Sequence, residues 1–229
     1  MDSMLLSQSQ EGAMTDTSAT SPPHRADASG SSATTQAVPG LRSATRQERE
    51  RFEVAMMMAF ISDPAARWAW SDQLQFLTVF LPLVNLFGGK SSDHDCAHVI
   101  GDFHGVAQWL PPGVHPDDEA IGELFARHMS EPRLGEVLSL FEQMAAFHPS
   151  EPHWYLPLIG VDPLFRGRGY GTLLMQQGLA VCDRSHQCVY LEATSPLNRT
   201  LYERFGFRTL GEIRSGDSPP LFPMLREPH

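Results

Sequence analysis

Large apolar side chains are sparse over the first 44 residues and then recur with two different periods. Residues 1–44 are mainly Ser, Thr, Ala, Gln, Gly and Pro with scattered charge. So little apolar surface cannot offset the entropy of ordering, which predicts a disordered tail over 1–44 and a single folded domain over 45–229. From Phe52 the spacing becomes helical: Phe52, Ala55, Met56, Ala59 and Phe60 fall at i, i+3, i+4, i+7 and i+8, one stripe of an amphipathic helix. A second helix is expected from about Ser71 to the stop at Gly88-Gly89. Two short runs, 97–100 and 106–110, read as a hairpin turned at Gly101-Asp102 and closed by Pro111-Pro112-Gly113. Ile121, Leu124 and Phe125 mark a further helix, and Leu134, Val137, Leu138, Phe141 and Ala145 another, with Pro132 separating the two.

The last third of the chain alternates between the two periods. It reads as a strand over 153–161, a helix over 169–183, a strand over 189–194, a short helix over 197–204, and strands over 207–213 and 221–225. No internal repeat is seen. The pattern as a whole predicts an α/β domain of the α+β kind.

A formal charge of −10 sets duplex DNA and anionic membranes aside as main partners, because both are bound chiefly by an excess of Lys and Arg. Cys96, Cys182 and Cys188 lack CxxC spacing and suit reduced thiols in a cytoplasmic protein. The start, MDSMLLSQSQEG, has neither a basic region nor a sustained apolar stretch, so no secretory signal is expected. The most apolar segment, 76–87, is interrupted by Thr78, Pro82 and Asn85 and is too short to cross a hydrocarbon layer of about 30 Å.

The chemistry concentrates in RGRGYGTLL, residues 166–174, where three glycines and two arginines stand between a predicted strand and a predicted helix. Unpaired amides of a helix's first turn, together with its macrodipole, attract anions, and glycines let a phosphate approach the backbone. Arg166 and Arg168 add cations, so a phosphorylated ligand is expected. A nucleoside-triphosphate loop fails, because the only Gly-Lys-Ser, Gly89-Lys90-Ser91, has Val84 where the first glycine should stand. A dinucleotide fold would use Glu192 as the ribose-binding acid. Its third glycine, however, is replaced by Thr172, and too little chain follows Glu192 for the second half of that fold. His94, Cys96 and His98 alternate onto one side of an extended stretch, but no fourth metal ligand is evident and no metal is expected.

Arg166-Gly167-Arg168-Gly169-Tyr170-Gly171 fits the pattern R/Q-x-x-G-x-G/A of the GNAT N-acetyltransferase superfamily. The preceding HWYLPLIGVDP resembles that superfamily's fourth strand, and the following LEATSPLNRTLYERFGF its fifth strand and next helix. With AQWLPPG upstream, the run is similar to the puromycin N-acetyltransferase-like branch, over roughly residues 45–229 and most specifically over 152–208. The resemblance implies a mixed, mostly antiparallel sheet flanked by helices and splayed between the fourth and fifth strands. It implies acetyl-CoA as cosubstrate, with pantetheine along Ile159, Gly160 and Val161 and the diphosphate on Arg166, Gly167, Arg168, Gly169, Tyr170, Gly171 and Thr172. Asn198 would contact the cofactor, and Tyr202 would protonate the leaving thiolate.

Residue chemistry fits these expectations independently. Pro157 lacks the N–H that a central strand needs, so the strand should bulge or part there. Ser195-Pro196 is a good helix start, and it places Asn198 and Tyr202 one turn apart on one face. Glu192, sharing a strand face with Tyr190 and Thr194, is a candidate general base for the amine. Glu151, a histidine or an ordered water is the alternative. The expected acceptor is a primary amine on a small molecule, with a noncatalytic acyl-CoA sensor and a peptide or protein acetyltransferase as the other readings.

Overall fold

The computed structural model describes residues 40–228, and the expected tail up to residue 39 lies outside the described residues. Residues 40–44 of the expected tail are part of the domain. Arg42–Ser43 form strand β1, which pairs with β2 (Ala97–Ile100), and the Ala44 N–H donates to the Ala97 carbonyl at 2.7 Å. A sheet edge captures such a segment through its backbone, which composition does not register.

Among the described residues, seven strands run in the order β1-β2-β3-β4-β5-β7-β6. Here β3 is Gly105–Leu110, β4 Trp154–Val161, β5 Val189–Ala193, β6 Arg208–Thr209 and β7 Phe222–Arg226. All neighbours are antiparallel except β4 and β5. The predicted strand 207–213 shrinks to β6 and one isolated bridge, Ile213 to Leu221. The expected hairpin of β2 and β3 is present and turns over residues 101–104, with Phe103 at φ +64°.

The helices are α1 (Arg49–Phe60), α2 (Pro64–Ala69), α3 (Gln73–Gly88), α4 (Asp118–His128), α5 (Glu131–Phe147), α6 (Tyr170–Ser185) and α7 (Pro196–Glu203). Most follow the predicted apolar stripes. At six residues α2 is too short to show a period, but its start is chemically explicit: Asp63 accepts hydrogen bonds from the Ala65 and Ala66 amides, with Pro64 in the first turn. Asp72 caps α3 in the same way. Pro132 lies within the first turn of α5, where a missing N–H costs nothing.

The sheet separates two apolar layers. Met56, Val84, Val99, Val106 and Leu158 pack on the side of α1 and α3, while Trp109, Leu156, Met175, Leu179 and Leu191 pack on the side of α6. Leu156 and Leu158, two residues apart, would share a face in a regular strand. They face opposite layers because β4 bulges. Between the pairs Leu110–Tyr155 and Gln108–Leu158, Leu156 and Pro157 together stand opposite Trp109. Beyond the bulge β4 leaves β5, with which it pairs only at Trp154–Val189 and Tyr155–Tyr190. The predicted parting at Pro157 is therefore present.

Gly178 shows how tightly α6 is seated on the sheet, since a Cβ there would collide with the Trp109 ring. Gly178→Val is expected to lower stability by about 1–3 kcal/mol through overpacking. Gly135, exposed in α5 with open space around it, is the contrast: Gly135→Ala should stabilise by roughly 0.5–1 kcal/mol. Urea unfolding of both variants checks the pair.

Candidate active site

The parted end of β4 forms one wall of a cleft. Ile159, Gly160 and Val161 keep their pairing with Ala107, Val106 and Gly105 on one side and line the cleft with Arg166, Gly167 and Gly171. Gly160 lets α1 come close, because a Cβ at this position would run into the Ala59 side chain. After β4, Asp162 caps a short turn at Pro163–Phe165, its carboxylate accepting from the Leu164 amide at 2.8 Å. The chain then enters α6 through Gly167 at φ +77° and Gly169 at φ +79°. A Cβ at either glycine would meet nothing within 4 Å, so it is the left-handed backbone, not crowding, that selects glycine.

The space in front of these glycines is what an approaching phosphate requires, and the first-turn amides of a 16-residue helix supply donors. Arg166 is held in place: its guanidinium donates to the Ala59 carbonyl at 2.9 Å and the Val161 carbonyl at 3.3 Å. This ties α1 to the end of β4 and fixes a positive charge beside the cleft. Arg168 lies over the Phe165 ring at 5.1 Å, and His104 stacks on the same ring with centroids 3.7 Å apart. Tyr170 and Thr172 occupy the first turn of α6.

Across the cleft stands α7. Ser195 caps it by accepting from the Asn198 amide at 3.2 Å, and Pro196 follows in the first turn. Asn198 donates to the Thr194 hydroxyl at 3.4 Å, and that hydroxyl donates to Asp63 at 2.7 Å. Tyr202 is buried, its ring 6.0 Å from that of Phe207. Burial, and then the Asp63 charge, push its phenol well above the usual value. Burial also raises Asp63, against hydrogen bonds that favour its carboxylate form.

A second cavity adjoins the cleft. Its walls are mostly apolar and carry the rings of Phe60, Trp68, Phe80, Phe87 and Phe141 from α1, α2, α3 and α5, with Trp70 just after α2. Phe60, Asp63, Ile159, Asn198 and Tyr202 line both spaces, which therefore meet at these five residues. Glu192 belongs to the aromatic cavity and not to the cleft wall. Its side chain is 4% exposed, one oxygen accepts from the Tyr155 hydroxyl at 2.9 Å, and the other lies 3.6 Å from His148 Nε2.

The structure thus brings Tyr202 and Asn198 to the junction and places Glu192 beyond it, on the aromatic side. The Glu151 carboxylate points to Ser150, and it is the Glu151 backbone carbonyl that joins the cluster around Glu192, through His153. Asp63 and His148 were missed. Asp63-Pro64 carries a helix-start signature, which marks a cap and not a site. Near His94 and His98, the Cys96 thiol donates to the His94 carbonyl. Among the described residues, no group of three or more His, Cys, Asp or Glu is placed to hold a metal, and no helix is long and apolar enough to cross a membrane.

Residues 115–207 match the model of the Acetyltransferase (GNAT) family. An uncharacterised N-acetyltransferase of Schizosaccharomyces pombe is 31% identical over 144 residues, 56% of this chain and 58% of that protein. The crystal structure of histone acetyltransferase HPA2 and related acetyltransferase from Corynebacterium glutamicum is similar over 84% of this chain and 98% of that one, at 27% identity and a TM-score of 0.59. Arylalkylamine N-acetyltransferase 2 from Aedes aegypti shares the fold over 82% of this chain and 98% of its own, at 13% identity and a TM-score of 0.59. The mixed sheet with its single parallel pair and flanking helices is the GNAT-type fold.

Proposed function

We propose that this chain, which has the GNAT-type fold and matches that acetyltransferase family over residues 115–207, is an N-acetyltransferase moving the acetyl group of acetyl-CoA directly to a primary amine on a small, largely apolar molecule. One observation carries the reading. A cleft floored by a helix N-terminus and a cavity walled by aromatics meet at a buried tyrosine and a carboxylate where the sheet parts.

In this reading, residues 166–172 and the first-turn amides of α6 hold the diphosphate, and Ile159, Gly160, Val161 and Asn198 hold the pantetheine arm. The amine enters from the aromatic cavity. Its nitrogen attacks the thioester carbonyl carbon, the C–N bond forms and the C–S bond breaks. Glu192 takes the proton that the nitrogen loses. Tyr202, held protonated by its surroundings, hydrogen-bonds the departing sulfur and hands it a proton. Asp63, at the junction, attracts the cationic amine. The likeness of residues 152–208 to the puromycin N-acetyltransferase-like branch directs the search for an acceptor to nucleoside antibiotics first.

Release of free CoA thiol should be screened across nucleoside antibiotics, polyamines, arylalkylamines, amino acids and peptides, and at least one small amine should turn over. Peptides reacting faster than every small amine would point to a protein acceptor. Heat stabilisation by CoA with no thiol release from any amine would point to a noncatalytic sensor. Asp63→Asn can still cap α2 but loses the charge. It is expected to raise the KM of a cationic amine about tenfold, the equivalent of one charge-assisted hydrogen bond, with acetyl-CoA affinity unchanged by calorimetry.

A further inference from the structure

Each turnover of the proposed reaction leaves a proton on Glu192, which lines the second cavity and not the cleft. A line of groups leads on from Glu192. His148, the residue that ends α5, lies with Nε2 3.6 Å from the Glu192 carboxylate. Its Nδ1 is 3.1 Å from His153 Nε2, and His153 Nδ1 is 2.8 Å from the Glu151 carbonyl oxygen. Both imidazoles line an opening with Gly113, Val114 and Pro149. His153 immediately precedes β4, so this opening is at the start of the strand whose far end, Ile159–Val161, walls the cleft.

The partners fix which nitrogens carry hydrogen. A carbonyl oxygen only accepts, so His153 Nδ1 donates to Glu151, and the neutral ring then presents a lone pair at Nε2. His148 must donate to that lone pair from Nδ1, which leaves its own Nε2 unprotonated and facing Glu192. The nearer Glu192 oxygen is buried and makes no hydrogen bond of normal geometry, while the other accepts from the Tyr155 hydroxyl, and the Tyr190 hydroxyl also interacts with the carboxylate. Two acceptors therefore face each other across 3.6 Å, an arrangement completed by one added proton.

We propose that His148 and His153 form a relay that carries the amine's proton from Glu192 to solvent. The proposal rests on the reading of Glu192 as the base. The proton passes from the Glu192 carboxyl to His148 Nε2. The resulting imidazolium shares its charge with His153 through the Nδ1–Nε2 bond, and one proton leaves to water in the opening. Nothing is oxidised or reduced, and water is the only further reactant. Burial lowers the pKa of His153, which favours release at neutral pH. The other titratable groups around the pair are Tyr155 and Tyr190, both held as neutral phenols chiefly by burial, together with His115, Asp118 and Glu151. Lys90 binds the His115 carbonyl.

The tautomers can be read on the free protein by long-range ¹⁵N–¹H NMR of the imidazoles, with His148→Gln and His153→Gln for assignment. Hydrogen on Nδ1 of both neutral rings is the expected result, and hydrogen on Nε2 of either overturns the relay whether or not any amine is acetylated. In thiol-release assays with an amine that turns over, His148→Ala should lower kcat by about 10²-fold at neutral pH, as loss of a proton-transfer partner does. The KM for acetyl-CoA should not change, and added imidazole should restore most of the rate. A folded His148→Ala protein that keeps wild-type kcat, or that imidazole does not rescue, overturns the proposal; should that variant not fold, His148→Gln takes its place. Failure of every amine to react would overturn the functional reading, whereas wrong tautomers overturn the relay alone.

Discussion

Tyr202→Phe is expected to lower kcat for acetyl transfer by about 10²-fold, the usual worth of a positioned proton donor, while acetyl-CoA binds as before. The ring packs beside Phe207 and is buried among the residues of the α6 layer, contacts that phenylalanine preserves. Only the hydroxyl is removed, at the junction of cleft and aromatic cavity. The departing sulfur would then lose its donor at the moment it gains charge, an interaction stronger in the transition state than in the ground state. A loss in kcat with KM unchanged is the signature. The direction of the phenol's shift adds a sign. Burial and Asp63 hold its pKa above the usual value of about 10, so the proton stays on Tyr202 throughout an ordinary assay range. Loss of this group's proton should therefore give no falling limb in kcat below about pH 10. Thiol release measured against pH, with calorimetry for acetyl-CoA, checks both statements, and equal turnover by the variant would remove Tyr202 from the mechanism.

How much of this site was legible in the sequence depends on whether a residue's role is local. Gly167 and Gly169 announce a left-handed turn before a helix, and the anion site proposed there is argued from the helix terminus itself. Ser195, Asn198 and Tyr202 sit on one short helix, so their mutual placement needs no knowledge of the rest of the fold. Pro157 announces a break through its missing N–H. That the break also sends Leu156 and Leu158 to opposite layers could not be read, because a bulge resets the alternation on which strand reading depends. Asp63 becomes a site residue only when α2 is laid beside Thr194 and Tyr202, more than a hundred residues away. His148 and His153 likewise acquire meaning only where the end of α5 meets β4 and β5. The family resemblance supplied the fold and the cofactor chemistry; it carried no residue for the aromatic cavity, whose walls come from α1, α2, α3 and α5.

The largest effect is expected from Glu192→Gln, which should lower kcat by about 10²- to 10³-fold at neutral pH. Glutamine preserves the shape and can still accept from the Tyr155 hydroxyl through its amide oxygen, so packing around β5 should survive and unfolding should be little changed. What it cannot do is accept the proton that the attacking nitrogen must lose. That proton would have to leave to water in a cavity lined mostly by aromatic and aliphatic side chains, and the remaining rate should rise with pH as free amine and hydroxide become more abundant. If Glu192 passes its proton to His148, the two residues act in series, and removing the second link after the first should cost nothing more. The double variant Glu192→Gln with His148→Ala should then match Glu192→Gln alone, the non-additivity expected of groups that work as a unit. Multiplied losses in the double variant would mean that the two side chains serve separate routes. An unchanged kcat in Glu192→Gln itself is the result that would assign proton removal from the amine to another group lining the aromatic cavity, with Asp63 the remaining carboxylate there.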